Sequence, residues 1–231
     1  MSVVELHVHS EYSYDGRDPV ELIVAQAAAV GIDALAITDH DDFRAAAELR
    51  RLAPAAGIVP IPGMEVTSAA GHVLALGIDD PIPAGLSFDA TVEAISAAGG
   101  ISVVPHPFQR SRHGVAARVD PASMTVADAI EVYNSRLLTG RSNRRAARFA
   151  RRCDIAQTAG SDAHIAEMVG QAVTIVDTPA MDADSILAAI ATLVERPAPR
   201  APRRFQQKTS FRVYGGLIPA YTKEQGLQTL E

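Results

Sequence analysis

Cysteine is almost absent from this chain of 231 residues, where Cys153 stands alone. There can be no disulfide framework and no cluster of thiolate metal ligands. Cys153 also has no histidine motif around it, which argues against a cysteine nucleophile. No continuous apolar stretch is long enough to span a membrane. The N-terminus lacks a basic segment followed by an apolar run, so no signal peptide is expected. A soluble, cytoplasmic chain follows as the expectation. Two kinds of machinery are missing as well: a Gly-rich Lys-Ser/Thr loop for a nucleotide kinase, and a Gly-x-Ser-x-Gly elbow. The formal net charge of −6 and pI of about 5.6 argue against a general nucleic-acid coat protein. What the chain does have is 48% hydrophobic content, enough for one large α/β barrel or sandwich, or for two small domains.

Apolar β-type runs alternate with helical patterns along most of the length, the mark of βα units and a mainly parallel sheet. Val3, Val4, Leu6 and Val8 open a strand. Asp18-Pro-Val-Glu21 reads as a capping box, with a helix running to Ala29 and stopped by Gly31. A strand over 33–38 delivers Thr38-Asp39-His40, and Asp41 or Asp42 caps a helix to about Leu52. Short strands follow at Ile58 to Ile61, ending in Gly63-Met-Glu-Val66, and at 71–77. Ser87 caps a helix ending at Gly99-Gly100. Strands at 101–106 and 129–133 precede a helix over roughly 140–152, then Ala156 to Gly160 and Val173 to Val176. Asp182 caps a last helix from about 183 to 194. From Arg196 the composition turns to Pro, Arg and Gln. The expected division is therefore a barrel domain over 1–195 and a tail over 196–231 packed on it or partly free. No internal repeat is present.

The histidines are not scattered. Side chains on a strand alternate faces, so His7 and His9 point the same way. Two imidazoles aimed at one spot are costly unless something binds them, and a metal is the natural candidate. Two histidines on a solvated edge strand would be the plainer reading of that pair alone. Six of the seven histidines, however, sit at ends of expected strands: His7, His9, His40, His72, His106 and His164. Asp15, Asp39, Glu65 and Asp162 accompany them, and Asp162/His164 repeats the spacing of His7/His9. In parallel α/β architectures the C-terminal ends of strands share the face where function gathers. A multi-metal site built from nitrogen and oxygen ligands accounts for this placement.

His-Val-His-Ser with Tyr-Ser-Tyr-Asp-Gly, Ile-Thr-Asp-His, Gly-Met-Glu-Val, Gly-His-Val-Leu-Ala-Leu-Gly, Pro-His-Pro and Gly-Ser-Asp-Ala-His, in this order, resemble the PHP (polymerase and histidinol phosphatase) family over about residues 5–178. The resemblance implies an α/β fold, a distorted (β/α)7 TIM-like barrel, and a metal-dependent phosphoesterase. It implies two to three divalent ions, with His7, His9, Glu65 and Asp162 on one. Glu65 would bridge to a second held by His72 and His106, and Asp15, His40 and His164 would hold a third. Glu65, His72 and His164 are the residues it points to for catalysis. Imidazole and carboxylate without thiolate suit Mn, Fe or Zn. Asp15, before Gly16, also reads as a turn residue, and His72, sharing a face with Leu74 and Leu76, as a core histidine. Asp39 is expected to orient a neighbouring imidazole from behind rather than to bind metal. His113 lies in a polar loop and is left outside the site. Larger members of the family carry an extra subdomain between the counterparts of His72 and His106. Only 33 residues lie between them here, so no such lid is expected.

The expected reaction is attack of a metal-bridging hydroxide on phosphorus. Its substrate would be a small phosphorylated metabolite, a nucleotide or a short oligonucleotide. A non-catalytic metal-stabilised module and C–N bond hydrolysis are the alternatives. Arg110, Arg112 and Arg136 follow ligand-bearing strands and could present a planar guanidinium to a substrate phosphate, or could equally be solvated loop charges. Arg141, Arg144, Arg145, Arg148 and Arg152 share one helical face, read as a solvated stripe or, more sharply, as a polyanion-binding ridge.

Overall fold

The computed structural model describes residues 1–137, 140–178 and 182–192, together with the backbone of Arg212–Val213. Nine strands form one curled sheet in the order β7-β6-β5-β4-β3-β2-β1-β8-β9. The strands are β1 (Ser2–Glu5), β2 (Ala34–Ile37), β3 (Val59–Thr67), β4 (His72–Leu76), β5 (Ile101–Val104), β6 (Ala129–Asn134), β7 (Ala156–Gly160), β8 (Ala172–Val176) and β9 (Arg212–Val213). The helices are α1 (Val20–Ala29), α2 (Arg44–Leu52), α3 (Phe88–Ala97), α4 (Arg141–Cys153) and α5 (Ala183–Ala191). β7 and β8 are brought edge to edge by a side chain: Thr174 Oγ1 accepts from Ala159 N–H at 3.0 Å and donates to Ala159 O at 3.0 Å. The result is a nearly closed eight-strand barrel of the distorted TIM-like kind.

Strand alternation divides the apolar residues between two sides. Ala34 and Ala36 of β2 face inward with Val4, Leu6, Leu74 and Val103, and Ile186, Leu187 and Ile190 of α5 pack against this interior. Leu35 and Ile37 face outward onto α1 and α2. A separate outer cluster joins α3 and α4 to β5 and β6. Packing fills the barrel from the α5 end, so the functional residues have only the opposite rim.

The distortion comes from two antiparallel insertions in an otherwise parallel sheet. β1/β2, β2/β3, β5/β6 and β6/β7 are parallel. β4 runs antiparallel to both β3 and β5, and β8 antiparallel to β1. Reversal of β4 puts His72, at its first position, on the same rim as the C-terminal ends of its neighbours. The short strand expected at Ile58 to Ile61 runs on through Gly63-Met-Glu-Val66 to Thr67, pairing with β2 through its first half and β4 through its second.

Two local expectations are corrected. Asp18 does not cap α1, whose N-cap is Pro19 without a side-chain bond. Its Oδ2 accepts the Ala166 amide at 2.7 Å instead, tying the start of α1 to the loop after His164. The opening strand ends at Glu5, not Val8. Leu6 joins the barrel interior while the next residue, His7, also faces inward, which a regular strand forbids. The buried Glu5 carboxylate stabilises this break by accepting the amides of Leu6 and His7 at 3.1 and 3.3 Å. It also takes Ser161 N–H at 3.1 Å and Gly170 N–H at 3.2 Å. Burial pushes its pKa up to about 7 against these four donors.

Ser87 caps α3 through the Ala90 amide, and Asp182 caps α5 through that of Ser185. Asp42 accepts the Arg44 amide at the start of α2, while Asp41 turns back to the Thr67 amide on β3. α5 ends at Ala191, and residues 193 and 194 lie outside the described residues. So does the expected 196–231 tail, apart from Arg212–Val213, which add β9 antiparallel to β8. Among the described residues no helix is long and apolar enough to cross a membrane.

Candidate metal centre

The rim carries His7 and His9 just after β1, His40 after β2, Glu65 on β3 and His72 at the head of β4. His106 follows β5, Asp162 and His164 follow β7, and Asp15 comes from the loop before α1. Isolated parallel bridges, Val8 to Ala163 and His40 to Glu65, carry the sheet's pairing into these loops and fix their heights. His106 and Asp162 take left-handed backbone angles, with φ of 32° and 54°. For a non-glycine residue that conformation costs about 1–3 kcal/mol, and it persists only where surrounding structure holds it.

Glu65 is the hub. Its Oε2 lies 3.2 Å from both His7 Nε2 and His9 Nε2 and 3.5 Å from His40 Nδ1. Its Oε1 lies 2.8 Å from His72 Nδ1 and 3.4 Å from His106 Nε2. Asp162 Oδ1 is 3.5 Å from His9 Nε2 and 3.4 Å from His164 Nδ1, and Asp15 Oδ2 is 2.8 Å from His164 Nε2. Four overlapping groups each bring their ligand atoms within 4.8 Å of one another: His7/His9/Glu65, His7/His106/Asp162, His40/Glu65/His72 and His9/Asp15/His40/His164. All nine residues marked in the sequence fall in these groups. The grouping differs from that implied by resemblance: His106 sits with His7 and Asp162 rather than with His72, His40 also joins Glu65 and His72, and His9 also joins Asp15, His40 and His164.

Whether the residues fit an ion is answered by what they leave unsatisfied. His9 Nε2, His40 Nδ1, Glu65 Oε1, His72 Nδ1 and His106 Nδ1 are buried and make no hydrogen bond. The 2.8 Å approach of His72 Nδ1 to Glu65 lacks the angle of one. Buried polar atoms without partners are rare because each costs desolvation energy, and five of them within one cluster of imidazoles and carboxylates call for a cation. The buried His/Asp/Glu groups thus fit a multinuclear metal site. Electrostatics agree. Burial works against charge on His7, yet Glu131, Glu65 and Asp162 hold its pKa well above the ordinary value. His9, similarly buried but with the carboxylates of Asp162 and Glu65 close to its Nε2, is raised to about 9. Glu65 and Asp162 stay ionised, pulled well below the carboxylate range by the imidazoles despite burial. His40, desolvated and beside other imidazoles, falls to about 4.

These side chains are held from behind. Glu131, buried on β6, accepts from His7 Nδ1 at 2.9 Å, from the His106 amide at 2.9 Å and from Asn134 Nδ2 at 3.0 Å. Asn134 Nδ2 also reaches Asp162 Oδ2 at 3.2 Å. Gly160 makes room for this: a Cβ there would meet Glu131 Oε1 and His7 Cβ at 2.6 Å each. Asp39 accepts from the amide and the hydroxyl of Ser10, at 2.6 Å each, and so anchors the peptide that follows His9 rather than an imidazole ring.

A cavity of about 370 Å³ opens over the ligands. Arg112 and Arg136 line it, with Nη1 atoms 2.9 and 3.3 Å from Asp162 oxygens. Arg136 Nη1 also lies 2.6 and 2.7 Å from the two ring nitrogens of His164, so the guanidinium packs against that imidazole. Arg110 is exposed and is not part of the lining. Two aromatic rings complete the mouth: exposed Tyr14 stacks on His40 at 4.8 Å, and His113 on His72 at 5.0 Å. His40 and His72 are themselves 4.7 Å apart, so the four rings form one continuous row.

The profile of the family described as PHP domain matches residues 5–143 of this chain, and that described as PHP-associated matches residues 140–192. The chain belongs to the PHP domain family. An uncharacterised protein of Methanocaldococcus jannaschii is 31% identical over 141 residues, covering 57% of this PHP chain and 81% of the relative. The phosphoribosyl 1,2-cyclic phosphate 1,2-diphosphodiesterase of Eggerthella lenta is 35% identical over 88 residues, 36% of the chain and 33% of that enzyme. Among solved structures, a Bacteroides vulgatus two-domain protein containing a predicted PHP-like metal-dependent phosphoesterase superposes with a TM-score of 0.72 at 20% identity. That match covers 84% of this chain and 63% of the other.

Several residues of the PHP site escape sequence reasoning. Glu131, Asn134 and Glu5 do not line the cavity, but they fix His7, His106 and Asp162. Glu131 and Glu5 are lone carboxylates within apolar strand sequence, and that signal was available. His113 joins the mouth because its left-handed backbone, φ of 53°, turns the ring onto His72.

Proposed function

We propose that this PHP chain is a metal-dependent hydrolase of phosphate esters, acting on a small phosphorylated metabolite, nucleotide or short oligonucleotide. One observation carries the reading: nine imidazole and carboxylate side chains converge, with unsatisfied buried atoms, beneath a cavity whose mouth holds two guanidinium groups. His7, His9, Asp15, His40, Glu65, His72, His106, Asp162 and His164 would hold the ions, Mn, Fe or Zn. Bound divalent ions supply Lewis acidity toward a phosphoryl oxygen and lower the pKa of water. The chain's own residues do the rest. Glu65, with both oxygens turned to imidazoles, keeps two ligand sets at a fixed separation. Glu131 holds His7 so that Nε2 faces Glu65. Arg112 and Arg136 offer planar donors to a phosphate, and charge-assisted bonds of that kind contribute about 1.5–3 kcal/mol each. Guanidinium at the mouth favours an anionic ester over a neutral amide. A hydrolytic role for His72 and His164 rests on their place in the cavity wall, where each can meet a leaving oxygen. The test is elemental analysis of purified protein coupled to a phosphate-release screen over monoesters, diesters and nucleotides. Metal-loaded protein inert on every ester, with metal at the stated residues, would favour the non-catalytic module instead.

A further inference from the structure

Helix α4 carries six arginines between Arg141 and Arg152 and no acidic residue. At about 100° per residue, Arg141, Arg144, Arg145, Arg148, Arg151 and Arg152 fall within an arc of roughly 120°. All six are exposed, and Asn143, Ala146 and Ala150 bury the opposite face. Three pairs are spaced i,i+4 and three i,i+3, so like charges stack along the ridge, an arrangement that opposes helix formation. Arg141 and Arg144 also stand at the N-terminal end, against the helix dipole, with no acidic residue in the first turn and no side-chain cap. Among the described residues no carboxylate pairs with any of the six, and Arg145 alone is engaged, over the Phe108 ring at 4.2 Å. Residues 153–192 hold six carboxylates, and among the described residues Asp154, which ends α4, forms no ion pair with the helix's arginines. Residues 193–231 hold seven basic and three acidic side chains. Residues 1–140, by contrast, hold eighteen carboxylates against eight arginines.

The ridge begins at the cavity rim. Ser142 Oγ, in the first turn of α4, donates to Gln109 Oε1 at 3.0 Å, in the loop between His106 and Arg112. Arg136, which lines the cavity, lies five residues before Arg141. A row of guanidinium groups thus runs outward from a cavity that itself presents Tyr14 and His113 as open ring faces. Repeating phosphates fit the first feature and flat bases the second, and the bases must be unpaired to lie on those rings.

We propose that α4 is a docking ridge for the backbone of a single-stranded nucleic acid whose end enters the cavity. This rests on the phosphoesterase reading and names the substrate class for it. The experiment measures binding of a fluorescently labelled oligothymidylate of about twelve nucleotides across a salt series by anisotropy, a length within common single-strand site sizes. The proteins are the metal-loaded full chain, the Arg144→Ala/Arg148→Ala/Arg151→Ala triple variant and the corresponding triple lysine variant. Alanine is the strongest helix former, so the first triple keeps α4 intact. Its affinity should fall tenfold or more, and its log–log salt slope should flatten by about 2, at about 0.7 for each phosphate no longer neutralised. Lysine should restore the slope, and hydrolysis of bis(p-nitrophenyl) phosphate should be unchanged in both variants. Wild-type affinity in the alanine triple would overturn the ridge, as would an active enzyme that binds no oligonucleotide. Inorganic polyphosphate or an acidic peptide binding as tightly as the oligonucleotide would overturn the choice of nucleic acid. Ridge-dependent binding by a protein that hydrolyses no ester would sink the phosphoesterase reading and leave the ridge standing.

Discussion

Glu131→Gln is the sharpest probe of how the centre is assembled, because it changes one atom behind the ligands. Two donors, the His106 amide and Asn134 Nδ2, converge on Glu131 Oε2 at 2.9 and 3.0 Å. A glutamine must put its only acceptor oxygen there. Its amide nitrogen then faces His7 Nδ1, which lies 2.9 Å from Oε1 in the native protein. An NH₂ group can only donate, so Nδ1 must give up its proton and Nε2 must carry it. Nε2 is the atom 3.2 Å from Glu65, on the ligand side. A proton there blocks a metal, or the ring flips its tautomer back and leaves two donors opposed. Either route should weaken metal binding about 10- to 100-fold, some 1.4–2.7 kcal/mol, the usual effect of removing a partner behind a ligating histidine. The opposed donors should also lower apo stability by about 1–3 kcal/mol. Competition with a graded chelator measures the first, denaturant unfolding the second, and the ¹⁵N shifts of His7 report the tautomer. Wild-type metal retention with an unchanged tautomer would refute the reasoning outright.

Four further outcomes follow from the same geometry. Metal uptake should release protons, because His9 holds one up to about pH 9 and His7 is raised likewise. Apparent affinity should therefore climb with pH, and calorimetry in buffers of different ionisation enthalpy should show it. The metal-free protein has the matching stability profile. The contribution from His9, raised from 6.5 to about 9, is complete below pH 6.5 and is lost as pH rises through 9, so urea midpoints should fall over that interval. Glu65→Gln should lose metal and ester hydrolysis together, since an amide is a poor bridge between cations; full metal content with full activity would remove Glu65 as the hub. Gly160→Ala should destabilise by about 1–3 kcal/mol, because its Cβ meets Glu131 and His7 at 2.6 Å, and an unchanged melting temperature would show that the packing yields.

What the sequence made legible was chemistry at chain-local spacing. His7/His9 and Asp162/His164 announce themselves because two paired ligand-type residues at the same short spacing recur at the ends of two strands, even though both pairs lie just past β1 and β7. Strand and helix order was legible for the same reason, and Ser87 and Asp182 cap where short-range patterns say they should. Local pattern failed where a distant partner competed. Asp18 has the sequence context of a cap, but the Ala166 amide, 148 residues away, takes its carboxylate. Antiparallel β4 could have been read: only residues 68–71 separate it from β3, too few for the crossover a parallel pair needs. Glu131 was passed over because Ile130 and Val132 beside it read as an ordinary buried strand.

Glu131 and Glu5 show why a buried carboxylate inside an apolar strand should be treated as a positional signal. Neither can be a core residue on its own account, since burying an unpaired charge costs far more than any packing gain. Each is tolerated because its oxygens organise several backbone or ring donors at once, four for Glu5 and three for Glu131. Those donors belong to the segments where regular structure breaks: the strand break at Leu6-His7, the left-handed turn at His106 and the turn into Asp162 through Ser161. Each break is what lets a ligand turn from the sheet toward the common point. The centre is therefore not assembled from ligands laid on a finished barrel. Two buried carboxylates tie down the breaks from which His7, His106 and Asp162 turn toward the common point.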